Sequence, residues 1–218
     1  MSDEALHAPR VGRERFERHY EASSDPWGYR TSGYERAKYE ATLGALPAGR
    51  LARALEVGCS IGVFTRLLAE RCGQLVAIDF SARAIELARE QLGDVAGVEL
   101  ALASFPEQAP AGEWDLVVCS EVLYYLDAPT FAGAVRWLRA RLERGASVLA
   151  VSWRGDGVEE PLSGDEAHDA LARELACWHV LDRRTVDYRL DRFDGATSAG
   201  REDDGDGNGN GNGDDDGD

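Results

Sequence analysis

Glu56, Gly58, Ser60 and Gly62 lie within one short stretch, EVGCSIG, and Asp79 follows at the end of VAIDF. Together they have the types and spacing of a nucleoside site. Gly58 permits a tight turn after a strand, and Gly62 permits close packing where the next helix starts. A dinucleotide loop needs a middle glycine so that the backbone can approach a pyrophosphate. Ser60 stands there instead, and Thr65 stands near where a third glycine belongs. Glu56 would repel a phosphate but tolerates a cation. Cys59 lines the same loop without doing chemistry. Asp79, about twenty residues on, is placed to accept hydrogen bonds from both ribose hydroxyls. The loop therefore wants a ribose and a positive charge with no pyrophosphate, which S-adenosyl-L-methionine satisfies. The competing reading is a glycine turn that binds nothing, with Asp79 capping the following helix.

These residues need a scaffold, and the pattern around them supplies one. Residues 12–46 read as helix, broken at SDPWGYRTS because Pro26 and Gly28 disfavour a continuous helix. From Ala52 strands and helices alternate: ARALEVG, then the helix IGVFTRLLAERC; QLVAIDF, then SARAIELAREQL with Ser81 as N-cap; VELALAS; EWDLVVCSEVL; then TFAGAVRWLRARLERG, closed by Gly145. ASVLAVSWR is a fifth strand, and SGDEAHDALARELA is a helix capped by Ser163 or Asp165. WHVLDRRTVDYRLDRF has the composition of one or two final strands. Alternation of this kind implies a parallel sheet with right-handed crossovers, whose ligands bind beyond the carboxyl ends of the strands. Phe80 beside Asp79, Ser104 and Phe105 after the third strand, and Ser120 at the end of the fourth fall at those ends.

Composition bounds the rest. The chain has 218 residues and a formal charge of −16, so it is a poor match for nucleic acid, whose phosphates need clustered Lys and Arg. It has a single lysine, Lys38, beside many arginines, a balance that fits a high-salt cytoplasm or a GC-rich genome. No apolar run reaches the ~18 residues of a membrane span, and the charged start has no signal-peptide block. A cytoplasmic protein with no membrane partner is expected, its oligomeric state undetermined. Cys59, Cys72, Cys119 and Cys177 lack zinc-site spacing and read as reduced, packed thiols. Residues 1–11 are expected to be a flexible start, 12–50 a helical lid, 51–194 the cofactor-binding domain and 195–218 a disordered acidic Gly/Asp/Asn tail. A calcium-binding glycine repeat is the alternative for the tail.

With these residues in view, the chain resembles class I S-adenosylmethionine-dependent methyltransferases. EVGCSIGVFT is similar to their first motif, AIDFSARAIELA to their second, and FPEQAPAGEWDLVVCSEVLYYL to their fourth-strand region. The likeness spans roughly residues 15–194. It is closer to the nodulation protein S branch, carried by HYEASSDPWGYRTSGYERAKYEATLGALP, SEVLYYL, PLSGDEAHDAL and a terminal YRLDRF. The resemblance implies an α/β, Rossmann-like fold: seven mostly parallel strands with helices on both faces and an N-terminal helical lid. It also implies N-methylation. In that branch the acceptor is the free amine of a deacetylated chitooligosaccharide, so a small amine or amino sugar is expected here. The family usually carries an acidic residue where this chain has Ser104, leaving one hydrogen bond for the adenine.

An ammonium acceptor has no lone pair, so a base must take its proton before attack. Glu121, Tyr124 and His168 are the catalytic candidates. Glu121 receives the proton or orients the amine, or else it is a cap or salt-bridge partner. Tyr124 and Tyr125 wall the methyl site, with Tyr125 as readily a core residue. His168 is a base or a structural histidine, and His19 is a weaker candidate. In DPWGYR, Trp27 and Tyr29 cover the ligand, and Arg30 pairs with the methionyl carboxylate. For these three, an exposed aromatic or a capping charge is the alternative. Trp153 is placed to face a sugar. Methylation of oxygen on a small metabolite and a non-catalytic nucleotide-binding module are the rival functions.

Overall fold

The computed structural model describes residues 12–155 and 160–195. The expected flexible start and residues 196–218 of the expected acidic tail lie outside the described residues. Seven strands form one sheet: β1 (Leu51–Val57), β2 (Cys72–Asp79), β3 (Val98–Leu102), β4 (Leu116–Ser120), β5 (Ser147–Trp153), β6 (His179–Arg184) and β7 (Tyr188–Asp194). Their order is β3-β2-β1-β4-β5-β7-β6. The first five are parallel, and β7 inserts antiparallel between β5 and β6. The order reverses between β1 and β4, so a crevice opens beyond their carboxyl ends.

The central strands are apolar on both faces because both faces are covered. Leu55, Val57, Val117, Cys119, Val148 and Ala150 face α5 (Ala128–Leu142) and α6 (Gly164–Glu174). Their neighbours Ala54, Leu116, Val118, Leu149 and Val151 face α3 (Val63–Ala69) and α2 (Gly33–Gly44). The remaining helices are α1 (Arg13–Ala22) and α4 (Ala82–Leu92), which pack against each other.

Local chemistry sets the helix starts. Ser32 accepts from the Glu35 N–H, Ser81 from Ala84, Asp127 from Thr130, and Ser163 forms a reciprocal capping box with Glu166. The break between α1 and α2 is built by Asp25, whose carboxylate accepts the N–H groups of Tyr29 at 2.7 Å and Arg30 at 3.0 Å. Two sequence expectations are corrected here. Cys72 opens β2 instead of ending a helix, because the chain must return to pair with Leu51. Cys177 is exposed in a short 3-10 turn, so only the other three cysteines are packed.

The last hairpin is fastened by buried charge. His168 on α6 and Asp191 on β7 are fully buried, with Nδ1 2.7 Å from Oδ2. Arg189, also fully buried, places Nε 3.0 Å from the same oxygen and donates from Nη1 to Asp169 at 2.6 Å. Removing one partner strands the other in a low-dielectric interior. Asp191→Asn is expected to lower stability by about 3 kcal/mol in urea denaturation. Asp169→Asn, at a half-exposed carboxylate, is expected to cost less than about 1 kcal/mol.

Candidate active site

The loop after β1 is shaped by two glycines at positive φ. Gly58 has φ 79°, and a Cβ there would meet Val122 Cγ2 at 2.2 Å. Gly62, also at φ 79°, begins α3, where a Cβ would press on Leu92 and Ala88 at 3.2–3.3 Å. Ser60 between them holds φ 49° despite its side chain. Its N–H donates to Asp79 Oδ2 at 2.9 Å, and its hydroxyl lies 2.6 Å from the Tyr20 hydroxyl of α1. The residue that replaces the dinucleotide glycine thus ties the loop to both the second strand and the N-terminal helices. That second tie has no signal in the local sequence.

A cavity of about 410 Å³ lies beyond β1, β2 and β4. Of the expected cofactor residues, it is lined by Trp27, Glu56, Gly58, Cys59, Ser60, Asp79, Phe80, Ser104, Phe105 and Ser120. Phe16 of α1 packs edge-on against Phe80 at 5.1 Å and Tyr125 at 5.0 Å, roofing the space. Two expected residues are elsewhere. Gly62 packs against α4 and does not line the cavity, so its role is the helix contact. Arg30 is turned away: its guanidinium donates to Gln91 Oε1 at 3.1 Å and to Ser24, because the Asp25 turn points it outward.

Glu56 is almost wholly buried, and its Oε2 has no hydrogen-bond partner. Burial pushes its pKa up to about 7, only partly offset by Thr65. Asp79 is likewise pushed up to about 6 by burial, against the N–H groups of Ser81 and Ser60 that favour its charge. Each Asp79 oxygen accepts one of these at 2.9 Å, and a carboxylate oxygen has capacity for a second donor. An orphaned buried carboxylate oxygen beside a half-satisfied one is a receptor for a cation and for hydroxyl donors. Burial drives the Cys59 thiol up, so it stays protonated and is no nucleophile.

A second cavity of about 420 Å³ adjoins the first. Phe16, Trp27, Tyr29, Glu35, Glu121 and Tyr125 line both. Tyr124, Tyr34, His19 and Trp153 line only the second. Lys38, 2% exposed and lining the second cavity, donates to two residues of the shared wall, Glu35 Oε1 at 3.0 Å and Glu121 Oε1 at 2.6 Å. Burial disfavours its charge, but the two carboxylates outweigh that and hold its pKa above the ordinary lysine value. Glu121 Oε2 accepts from the Tyr124 hydroxyl at 2.8 Å and the Trp153 backbone N–H at 2.9 Å. Glu121 itself sits at φ 56°, a strain on the order of 1–3 kcal/mol that these bonds offset. Lys38 and Glu35 were given no role by the sequence reading; the available signals were that both lie in SGYERAKYE, within the stretch that carries the family resemblance, and that Lys38 is the only lysine in the chain.

His168 is not brought to the site. It lines neither cavity and is committed to Asp191 across the sheet. Its expected role as a base is therefore corrected to a structural one.

The family model for Nodulation protein S matches residues 10–159. Nodulation protein S of Bradyrhizobium diazoefficiens is 34% identical over 137 residues, covering 62% of this chain and 66% of that protein. The chain spans between 44% and 66% of the length of three curated relatives that it matches. The solved N-methyltransferase NodS from Bradyrhizobium japonicum WM9, in complex with S-adenosyl-L-homocysteine, superposes with a TM-score of 0.72 at 25% identity, over 85% of this chain and 98% of that one. A solved chain from Pseudomonas syringae is 37% identical with a TM-score of 0.65, over 75% and 99% of the two chains.

The raised pKa of Glu56 has a measurable sign. The folded chain holds this proton up to about pH 7, whereas a free carboxyl releases it near 4.5. Stability from this group is intact below the lower value and is lost as pH rises through the higher one. Glu56→Gln, which mimics the neutral form, is expected to leave the ligand-free protein nearly unchanged at about pH 5 and to stabilise it by about 3 kcal/mol at about pH 8. Urea denaturation at the two pH values reads the difference.

Proposed function

The chain belongs to the nodulation protein S family and has the fold of S-adenosylmethionine-dependent methyltransferases, and from that premise we propose that its site methylates the nitrogen of a small amine, an amino sugar fitting best. The observation that carries the reading is the pair of adjoining cavities with the Glu35–Lys38–Glu121 group in their common wall. Two carboxylates against one ammonium leave that wall negative, which attracts a protonated amine and not a carboxylate or an alcohol. Tyr34 and Trp153 offer flat, amphipathic faces to a ring in the second cavity.

The residues of the first cavity fit S-adenosylmethionine. Asp79 is placed to accept the ribose hydroxyls, and the unpartnered Glu56 oxygen to hold a cationic donor. When bound, the cofactor would supply a methyl group on sulfonium, open to an amine lone pair with sulfur as the leaving group. The protein's part is to hold the two reactants in line, which is worth roughly 7–11 kcal/mol when a bimolecular step becomes intramolecular. Residues 12–50 act as the lid, fastened by Tyr20 to Ser60 and by Glu17 to the Ala82 N–H at 2.9 Å. The Phe16, Trp27 and Tyr29 rings exclude water from the space beneath.

The test is a methyl-transfer assay against a panel of amines and amino sugars, with mass spectrometry to locate the added methyl. N-methyl products are expected, and methylation confined to oxygen would overturn the acceptor class. S-Adenosylhomocysteine is expected to raise the melting temperature where NAD does not. Asp79→Ala is expected to abolish that shift, and an unchanged shift would count against the ribose assignment.

A further inference from the structure

Methylating a protonated amine requires a proton acceptor at the wall between the two cavities, and Glu121 is poorly suited to the task. Its carboxylate already accepts from Lys38, Tyr124 and the Trp153 N–H. Protonating it would forfeit interactions that fix the turn after β4. Glu35 differs in one respect. It is 7% exposed, it lines both cavities, and only its Oε1 is engaged, by Lys38. Its Oε2 is buried with no hydrogen-bond partner. The Tyr39 hydroxyl is near enough to favour the charged form but makes no well-formed bond to it. We propose that Glu35 is the general base, its free Oε2 taking a proton from the acceptor ammonium. This rests on the N-methylation reading above and names a residue for it.

The step balances without a co-reactant. The ammonium N–H bond breaks, its electron pair remains on nitrogen as the attacking lone pair, and the proton forms an O–H bond on Glu35 Oε2. Before transfer the wall holds two carboxylates, the Lys38 ammonium and the acceptor ammonium. Afterwards it holds one carboxylate, Lys38 and two neutral groups, so the net charge stays at zero. Burial raises the Glu35 pKa, against the opposing pull of Lys38, which makes it a stronger base than an exposed glutamate. The other groups facing Glu35 are Tyr29 from the turn, Tyr34, Lys38 and Tyr39 from α2, and Glu121 from beyond β4. Burial pushes the tyrosines up, Tyr34 to about 12, and Lys38 is held above its ordinary value. The phenols therefore remain neutral donors and cannot accept the proton in its place.

The experiment follows kcat of the full chain and of Glu35→Gln with pH, using the best acceptor from the amine panel. At about pH 7 the variant is expected to lose about a hundredfold or more. Near pH 10 the acceptor arrives already deprotonated, and the deficit is expected to shrink to within about fivefold. A deficit that does not change with pH, or no deficit, would overturn the assignment. The melting-temperature shift with S-adenosylhomocysteine is expected to persist. If Glu35→Gln loses it, Glu35→Asp serves instead, keeping the charge beside Lys38. A smaller loss that closes at high pH is then expected, and a pH-independent loss overturns the proposal. A wild-type chain that methylates no amine overturns the N-methylation reading and this inference together. An active wild type with an unimpaired variant overturns this inference alone.

Discussion

The site depends on one buried ion triad. Lys38 sits between Glu35 on its own helix and Glu121 beyond β4, 83 residues away. Taking an ammonium and two carboxylates out of water is costly unless each finds partners. Lys38 supplies a compact charge that reaches both acids, and Glu121 passes the connection on to Tyr124 and to the end of β5. One cation thus ties α2, the turn after β4 and the edge of β5 to a common point. In a chain that uses arginine everywhere else, the single lysine stands where a planar guanidinium would not make the same contacts.

Around that point the cavities gather acids that the fold does not fully satisfy. Glu56 and Asp79 are both pushed up by burial, so the ligand-free protein bears a desolvation penalty that the proposed cationic, hydroxyl-bearing ligand would relieve. Binding and stability are thereby coupled. The same acids explain why the glycine loop carries Ser60. No pyrophosphate needs to approach there, so the position is free to form the hydroxyl contact that fastens α1 over the cavity.

The far hairpin has a different task. His168, Asp191 and Arg189 form a second buried polar cluster outside both cavities. It clamps α6 to β7, and β7 pairs with β5, whose last residue, Trp153, donates its backbone N–H to Glu121. That cluster supports the frame in which the site is held and takes no part in the chemistry.

Local patterns alone determined the strand–helix alternation, the Ser81 cap of α4, a cap at Ser163 or Asp165 for α6 and the break at Pro26–Gly28, because each is decided by residues within a few positions or by a repeating unit. The resemblance carried the seven-stranded sheet, and the cofactor followed from the glycine loop and Asp79 before it. What the sequence could not express was direction across long separations. Arg30 was placed on the ligand by its charge, yet the Asp25 turn faces it outward. His168 looked like a base until the sheet brought Asp191 beneath it. Glu35 and Lys38 read as ordinary positions on an amphipathic helix. They became the centre of the site only when packing of α2 against the sheet brought Glu121 within 2.6 Å of the lysine, for burial and the low dielectric that gives these charges their chemistry exist only in the assembled fold.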